Sequence, residues 1–276
     1  MRCEDLTIPS ETYTLPARLF LPEDAPAAAY VIHGATGVPW DYYTPFAEWV
    51  ADQGFACLTY AYRSDGQDVA SIKSSTVTMS DWGIAGQNAA LNTLTTRFPD
   101  LPIRVIGHSL GGFMTMFHDQ TARVERLSAI CSGPAYWRRA PRHALLPTWL
   151  FWYVLGPVSM ATLGYVSKRF LGATDHLPSS AFRQWKRWCT NPDLHMRDWG
   201  KLLPQPDAEA FAGRLNLVAL ADDHMIPPPV VADLARFYPA AQASFKTLDP
   251  ADIGPKLIGH LAVFRPRAKQ FWPELL

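Results

Sequence analysis

The stretch VIGHSLGG, residues 105–112, decides how the rest of the chain is read. An apolar run over 103–106 stops abruptly at Gly107-His108-Ser109-Leu110-Gly111, and residues 113–120 contain no helix breaker. The spacing predicts a strand, a sharp turn and a helix. The turn has the form G-x-S-x-G, in which a serine occupies a strained strand-to-helix corner and the glycines let the backbone bend where a Cβ would be in the way. Ser109 is therefore a candidate nucleophile. Because glycine and serine are also ordinary turn residues, the flanking chain has to choose between a reactive serine and a plain turn.

Upstream, residues 28–32 are a small apolar run ending in His33-Gly34-Ala35-Thr36-Gly37, the pattern of a strand buried on both faces and followed by a glycine-rich loop. Residues 41–53 place Phe46, Trp49 and Val50 at helical spacing, with Gly54 suited to end that helix. Strand character returns over 55–62, and 63–78 is polar and reads as a surface loop. Ser80 can cap a helix whose Ile84, Leu91, Leu94 and Phe98 share one side as far as the Phe98-Pro99 stop. Residues 6–21, interrupted by Pro9 and Pro16, fit an edge hairpin. Downstream, 127–131, 215–221 and 243–248 read as strands, 230–237 as a helix, and a last helix runs toward Trp272. Such alternation predicts an α/β fold, a mostly parallel sheet flanked by helices. The rhythm stops between Pro134 and Pro206, where no clean strand occurs and tryptophans gather at 137, 149, 152, 185, 188 and 199. Residues 134–206 are read as a helical cap inserted into a core made of 1–133 and 207–276.

Of the 276 residues 48% are hydrophobic and 18% charged, enough to bury an extensive core. Lys+Arg and Asp+Glu both number 25, so the whole chain carries no electrostatic footprint for nucleic acid and points to a small, largely uncharged partner. Cys3, Cys57, Cys131 and Cys189 lie far apart and read as buried free thiols of a reducing compartment. The N-terminus MRCEDLTIPS has no signal-like apolar segment, and a cytoplasmic location is expected. Residues 144–166 contain no charge and are long enough to span a bilayer, but Pro147, Gly156, Pro157 and Gly164 interrupt them in mid-fold. A hydrophobic cap over Ser109 is the preferred reading to a membrane span. Trp149, Phe151, Trp152 and Tyr153 either line its pocket, favouring an acyl chain or aromatic group, or fasten the cap to the core.

A serine nucleophile needs a base, and the base needs a group that holds its tautomer. Asp222 and Asp223 directly follow the strand at 215–221, and His260 lies in the loop after 243–248. Serine, acid and histidine thus come in the order this fold requires, each beyond the carboxyl end of a strand, where open α/β sheets gather their catalytic groups. The Leu110 N–H and a donor from the loop after 28–32, Ala35 with Gly34 as the substitute, would form the oxyanion hole. Further candidates to face a substrate are His33, Gly34, His108, Trp149 and Trp152, although residues placed like His33 and His108 more often orient loops. His118, His143, His176, His195 and His224 show no metal-ligand spacing, so no metal and no organic cofactor is expected.

HGATGVP (33–39), SDWG (80–83), GHSLGG (107–112), YWRR (136–139), QWKRWC (184–189), DDHMIPP (222–228) and GHLAVFRP (259–266) together resemble the α/β-hydrolase superfamily. More narrowly, the chain resembles a bacterial group of predicted α/β hydrolases related to the serine aminopeptidase and monoglyceride lipase-like clan. In similar hydrolases the acid precedes the proline of the next turn by four positions, which selects Asp223 through Pro227. Tyr62-Arg63-Ser64-Asp65-Gly66-Gln67 departs from the tyrosine-arginine-glycine turn usual in such proteins. The resemblance implies a serine hydrolase, and the residues favour a carboxylic ester of an apolar substrate cleaved through an acyl-enzyme. A thioesterase, an amidase or an acyltransferase would use the same triad, and a non-catalytic binding protein would keep the architecture alone. Oligomeric state is not legible.

Overall fold

The apolar runs become eight strands of one sheet: β1 (Arg2–Pro9), β2 (Thr14–Leu21), β3 (Ala29–His33), β4 (Ala56–Tyr60), β5 (Ile103–His108), β6 (Val124–Ile130), β7 (Arg214–Leu220) and β8 (Gln242–Leu248). This computed structural model describes residues 1–10, 13–62, 68–171, 175–207, 209–254 and 257–276. The strand order is β1-β2-β4-β3-β5-β6-β7-β8, antiparallel at β1/β2 and β2/β4 and parallel elsewhere. The hairpin at 6–21 has β1 as the edge, while β2 is paired on both sides.

Successive strand residues point to opposite faces, so an unbroken apolar run serves two cores. Leu19, Val31, Leu58 and Val105 pack on one face with Leu91 and Leu94 of the helix Gln87–Arg97. Their neighbours Phe20, Ile32, Cys57 and Ile106 pack on the other with Phe46 of the helix Thr44–Asp52 and Trp272 of the last helical segment, Pro266–Leu275.

Four local expectations change. The helix after the elbow is short, Leu110–Phe113 followed by a 3-10 turn at Thr115–Phe117, instead of running over 113–120. Polar side chains compete for its backbone: the Thr115 hydroxyl donates to the Gly112 carbonyl (2.8 Å), and Asn88 binds the Phe117 carbonyl (3.2 Å) and the Asp119 N–H (3.0 Å). Ser80 is not the cap of its helix. Thr78 and Asp81 form a reciprocal capping box instead, the Asp81 carboxylate accepting from the Thr78 N–H at 2.7 Å and the Thr78 hydroxyl accepting from the Asp81 N–H at 3.4 Å. The stretch read as a loop over 63–78 contains a helix, Val69–Ser74, with Asp68 as its cap, and residues 63–67, where the unusual turn falls, lie outside the described residues. Cys3 is exposed on the edge strand; the other three cysteines are buried.

Between β6 and β7 the chain is mainly helical, with helices at Arg142–Leu150, Gly156–Leu163 and Ser179–Cys189 and one two-residue ladder pairing Tyr165–Val166 with Leu177–Pro178. A π turn, Phe151–Leu155, joins the first two, making one helical run over Arg142–Leu163.

Candidate active site

Ser109 stands where β5 turns into its short helix, with φ 55° and ψ −116°. A side chain there costs of order 1–3 kcal/mol in strain and persists only where neighbours enforce it. The Ser109 N–H donates to Ile130 O (3.0 Å), and the Ser132 hydroxyl donates to Ser109 O (2.7 Å). The two motif glycines are steric necessities. A Cβ on Gly107 would lie 2.4 Å from Gly112 Cα, and one on Gly111 would lie 1.9 Å from the His33 carbonyl oxygen.

Asp223, just beyond β7, is buried and pairs with His260 through Oδ2···Nδ1 at 2.7 Å. Its other oxygen accepts from the N–H groups of Met225 (2.8 Å) and Ile226 (3.0 Å). Burial disfavours the Asp223 carboxylate, but the attraction and hydrogen bond of His260 and the two N–H groups outweigh it and hold the carboxyl below its ordinary range. Asp222 has a different task. Its Oδ2 accepts from the N–H groups of Ile258 and Gly259, both at 2.8 Å, and so braces the loop that carries His260.

A second buried chain runs behind these groups. The Ala35 N–H donates to Tyr43 Oη (2.8 Å), Tyr43 Oη contacts His108 Nδ1 (2.8 Å), and His108 Nε2 contacts the His260 carbonyl (2.9 Å). A carbonyl only accepts, so His108 carries its proton on Nε2 and its Nδ1 receives the tyrosine O–H. Burial pushes His108 down to about 3, keeping the ring neutral in this role. The expected oxyanion donor already has a partner: the Ala35 N–H is spent on Tyr43 Oη. Within the described residues the Leu110 and Thr36 N–H groups have no protein acceptor, Leu110 because it opens a helix.

Two cavities meet at Ser109. One, about 290 Å³, includes Ala35, Thr36, Asp222, Asp223, His224 and His260 in its wall. The other, about 250 Å³, is walled by apolar groups among which Trp137, Pro147, Phe151, Trp152 and Ile226 are prominent; Leu171, Trp185 and Met225 border both. Of the residues expected to face a substrate, Trp152 lines a cavity while His33, Gly34, His108 and Trp149 line neither. His33 is buried against Tyr60, His108 is used by Tyr43 and His260, and Gly34 lies under the Tyr43 ring. Trp149 and Tyr153, 41% and 42% exposed, look outward because a helix that turns 148, 151 and 152 inward must turn 149 and 153 away. Thr36, Trp185 and Met225 carried no signal of their own beyond lying in or beside the quoted motifs.

Cys131, Asp223 and His260 each offer a donor atom within 4.8 Å of the others. The acid and imidazole are already joined to one another, and burial pushes the Cys131 thiol well up and keeps it protonated. The cluster is a hydrogen-bonded pair beside a neutral thiol, not a set of deprotonated metal ligands.

An eight-stranded sheet of this order with a serine elbow defines an α/β hydrolase. Residues 23–184, more than half of the chain, match the family model described as serine aminopeptidase, S33, and the protein belongs to that family of α/β serine hydrolases. A search of curated proteins finds no match. Among solved structures, the esterase domain of a Rhodothermus marinus protein is similar with 21% identity and a TM-score of 0.57, over 99% of this chain and 95% of that one. An esterase of Pyrococcus furiosus (13% identity, TM-score 0.61, 99% and 88% covered) and a thermostable carboxyl esterase of Bacillus coagulans (14%, 0.57, 99% and 96%) share the fold as well.

Proposed function

We propose that the protein is a carboxylesterase acting on a small, largely apolar ester through an acyl-enzyme. His260 Nδ1–H donates to Asp223, which leaves Nε2 as the base for Ser109. Ser109 Oγ attacks the ester carbonyl as His260 takes its proton; the alcohol leaves with that proton, and water, deprotonated by His260, releases the acid. The Leu110 N–H holds the oxyanion, and the Thr36 N–H takes the place expected of Ala35. Residues 134–206 serve as the cap, with the acyl group in the apolar cavity and the alcohol on the side of His260 and His224. Free thiols, three of them buried, fit a reducing compartment such as the cytoplasm.

The observation that carries this reading is the buried 2.7 Å Asp223–His260 pair sharing one cavity with a conformationally strained serine. Its test is a series of p-nitrophenyl esters of increasing chain length, with fluorophosphonate labelling. We expect turnover favouring apolar acyl groups, stoichiometric labelling, and a loss on the order of 10⁴- to 10⁶-fold in Ser109→Ala. A wild type that neither turns over nor labels is a binding protein, and acyl transfer to added alcohols in preference to water would make it a transferase.

A further inference from the structure

The helical run Arg142–Leu163 is apolar on its outer side as well as on its inner one. Its inner side carries Phe151 and the buried Trp152 at the cavity and small residues further along: Ser159 is 1% exposed and bridges the Tyr165 carbonyl and the Ser167 N–H, and a Cβ on Gly156 would lie 2.1 Å from the Phe182 ring. Its outer side carries large apolar ones at helical spacing: Leu146 (65% exposed), Trp149, Leu150, Tyr153, Val154 and Val158 (54%). An amphipathic helix on a globular protein turns polar side chains to water instead. A continuous apolar face of this kind marks a surface that something else covers.

Charge says what covers it. The chain as a whole is neutral, yet residues 126–174 contain no aspartate or glutamate. Arg138 and Arg142 stand at one end of the run and Lys168 and Arg169 beyond the other, while Arg139 is held in an ion pair by Asp233. Two cationic stems lie over aromatic rings of this region, Lys186 Nζ 5.0 Å from the Tyr153 centroid and the Arg138 guanidinium 5.2 Å from that of Trp137. An apolar face bracketed by cations, on a stretch of chain that contributes no acid of its own, complements an anionic lipid surface. A second copy is a poor complement, because a twofold contact through one patch sets like charges against each other.

At 22 residues the run is about 33 Å long, but it does not cross a bilayer. The strands before and after it pair in one sheet, Arg126 opposite Arg214, and its inner side forms the wall of the apolar cavity at Ser109. We propose that the outer face of Arg142–Leu163 docks in the plane of an anionic membrane. The docked face and the apolar cavity are then two sides of one helix. Delivery of an ester from the lipid rests on the hydrolase reading; the docking does not.

The test is co-sedimentation of the full chain with vesicles of phosphatidylcholine alone and of phosphatidylcholine mixed with phosphatidylglycerol. We expect binding to the anionic vesicles that high salt weakens, and a loss on the order of tenfold or more in the double variant Leu146→Glu/Val158→Glu. Neither residue lines the two cavities at Ser109, so hydrolysis of a water-soluble short-chain ester by that variant stays at the wild-type level. Wild type left in the supernatant, a double variant that binds as well as wild type, or equal binding to neutral vesicles overturns the proposal. So does a wild-type dimer in sedimentation equilibrium that the double variant abolishes. A wild type that binds vesicles but hydrolyses no ester removes the hydrolase reading and leaves the docking intact.

Discussion

On the sheet side of Ser109, position is enforced by directional bonds between buried polar groups: Asp223 to His260, Asp222 to the loop below it, and Ala35 through Tyr43 and His108 to the His260 carbonyl. On the helical side the apolar cavity is walled by rings that pack edge to face, Trp152 against Trp185 at 4.8 Å and, behind the wall, Phe151 against Phe182 at 5.6 Å. Hydrogen bonds fix an angle and a proton; ring contacts fix a volume and tolerate sliding. The first region is suited to chemistry that fails with small misplacement, the second to admitting a family of apolar shapes.

The comparison is broken most directly at the acid. We predict that Asp223→Asn lowers kcat roughly 10⁴-fold, because an amide can turn its N–H toward His260 and select the wrong tautomer. Asp222→Asn, which keeps an acceptor for the loop, should lose about tenfold or less. Equal losses in steady-state kinetics would mean that the two carboxylates do not divide the work as their bonds suggest.

Tyr43→Phe comes next. It leaves the Ala35 N–H and His108 Nδ1 buried without partners, and we expect about 1–3 kcal/mol less stability in urea unfolding. If Tyr43 positions the catalytic loops, kcat also falls roughly ten- to a hundredfold with KM unchanged. A purely structural tyrosine would lower stability and leave kcat of the folded fraction untouched.

The smallest effect on catalysis at neutral pH, and a test of the buried polar frame as a whole, is acid unfolding. Burial pushes His108, His118 and His195 down to about 3 from an ordinary 6.5. The unfolded chain therefore binds more protons between those values. Their contribution to stability is complete above pH 6.5 and is lost as pH falls toward 3, at up to about 1.4 kcal/mol per pH unit for each histidine. Urea midpoints that stay flat from about pH 7 to pH 5 would contradict neutral burial of these rings.

What could be read before folding follows from local rules. A G-x-S-x-G turn needs its glycines because Gly107 and Gly111 approach other backbone too closely for a Cβ, and two-sided strands announce themselves as unbroken apolar runs. These rules carried the α/β class, the elbow, and the order of Ser109, the aspartates and His260. They did not carry the length of the elbow's helix, which Asn88 and Thr115 decide, nor the cap at Thr78, where Ser80 was the nearer serine.

Only the tertiary structure decided which atoms meet. That Ala35 spends its N–H on Tyr43 depends on a ring from the segment just before the helix at Thr44–Asp52 reaching under a loop eight residues earlier. That Trp149 turns outward while Trp152 lines the cavity depends on which side of one helix packs on Phe182. The sequence by itself determined which residue types are available and in what order; packing in three dimensions determined their direction, because a hydrogen bond and a buried face are relations between distant segments that local periodicity does not encode.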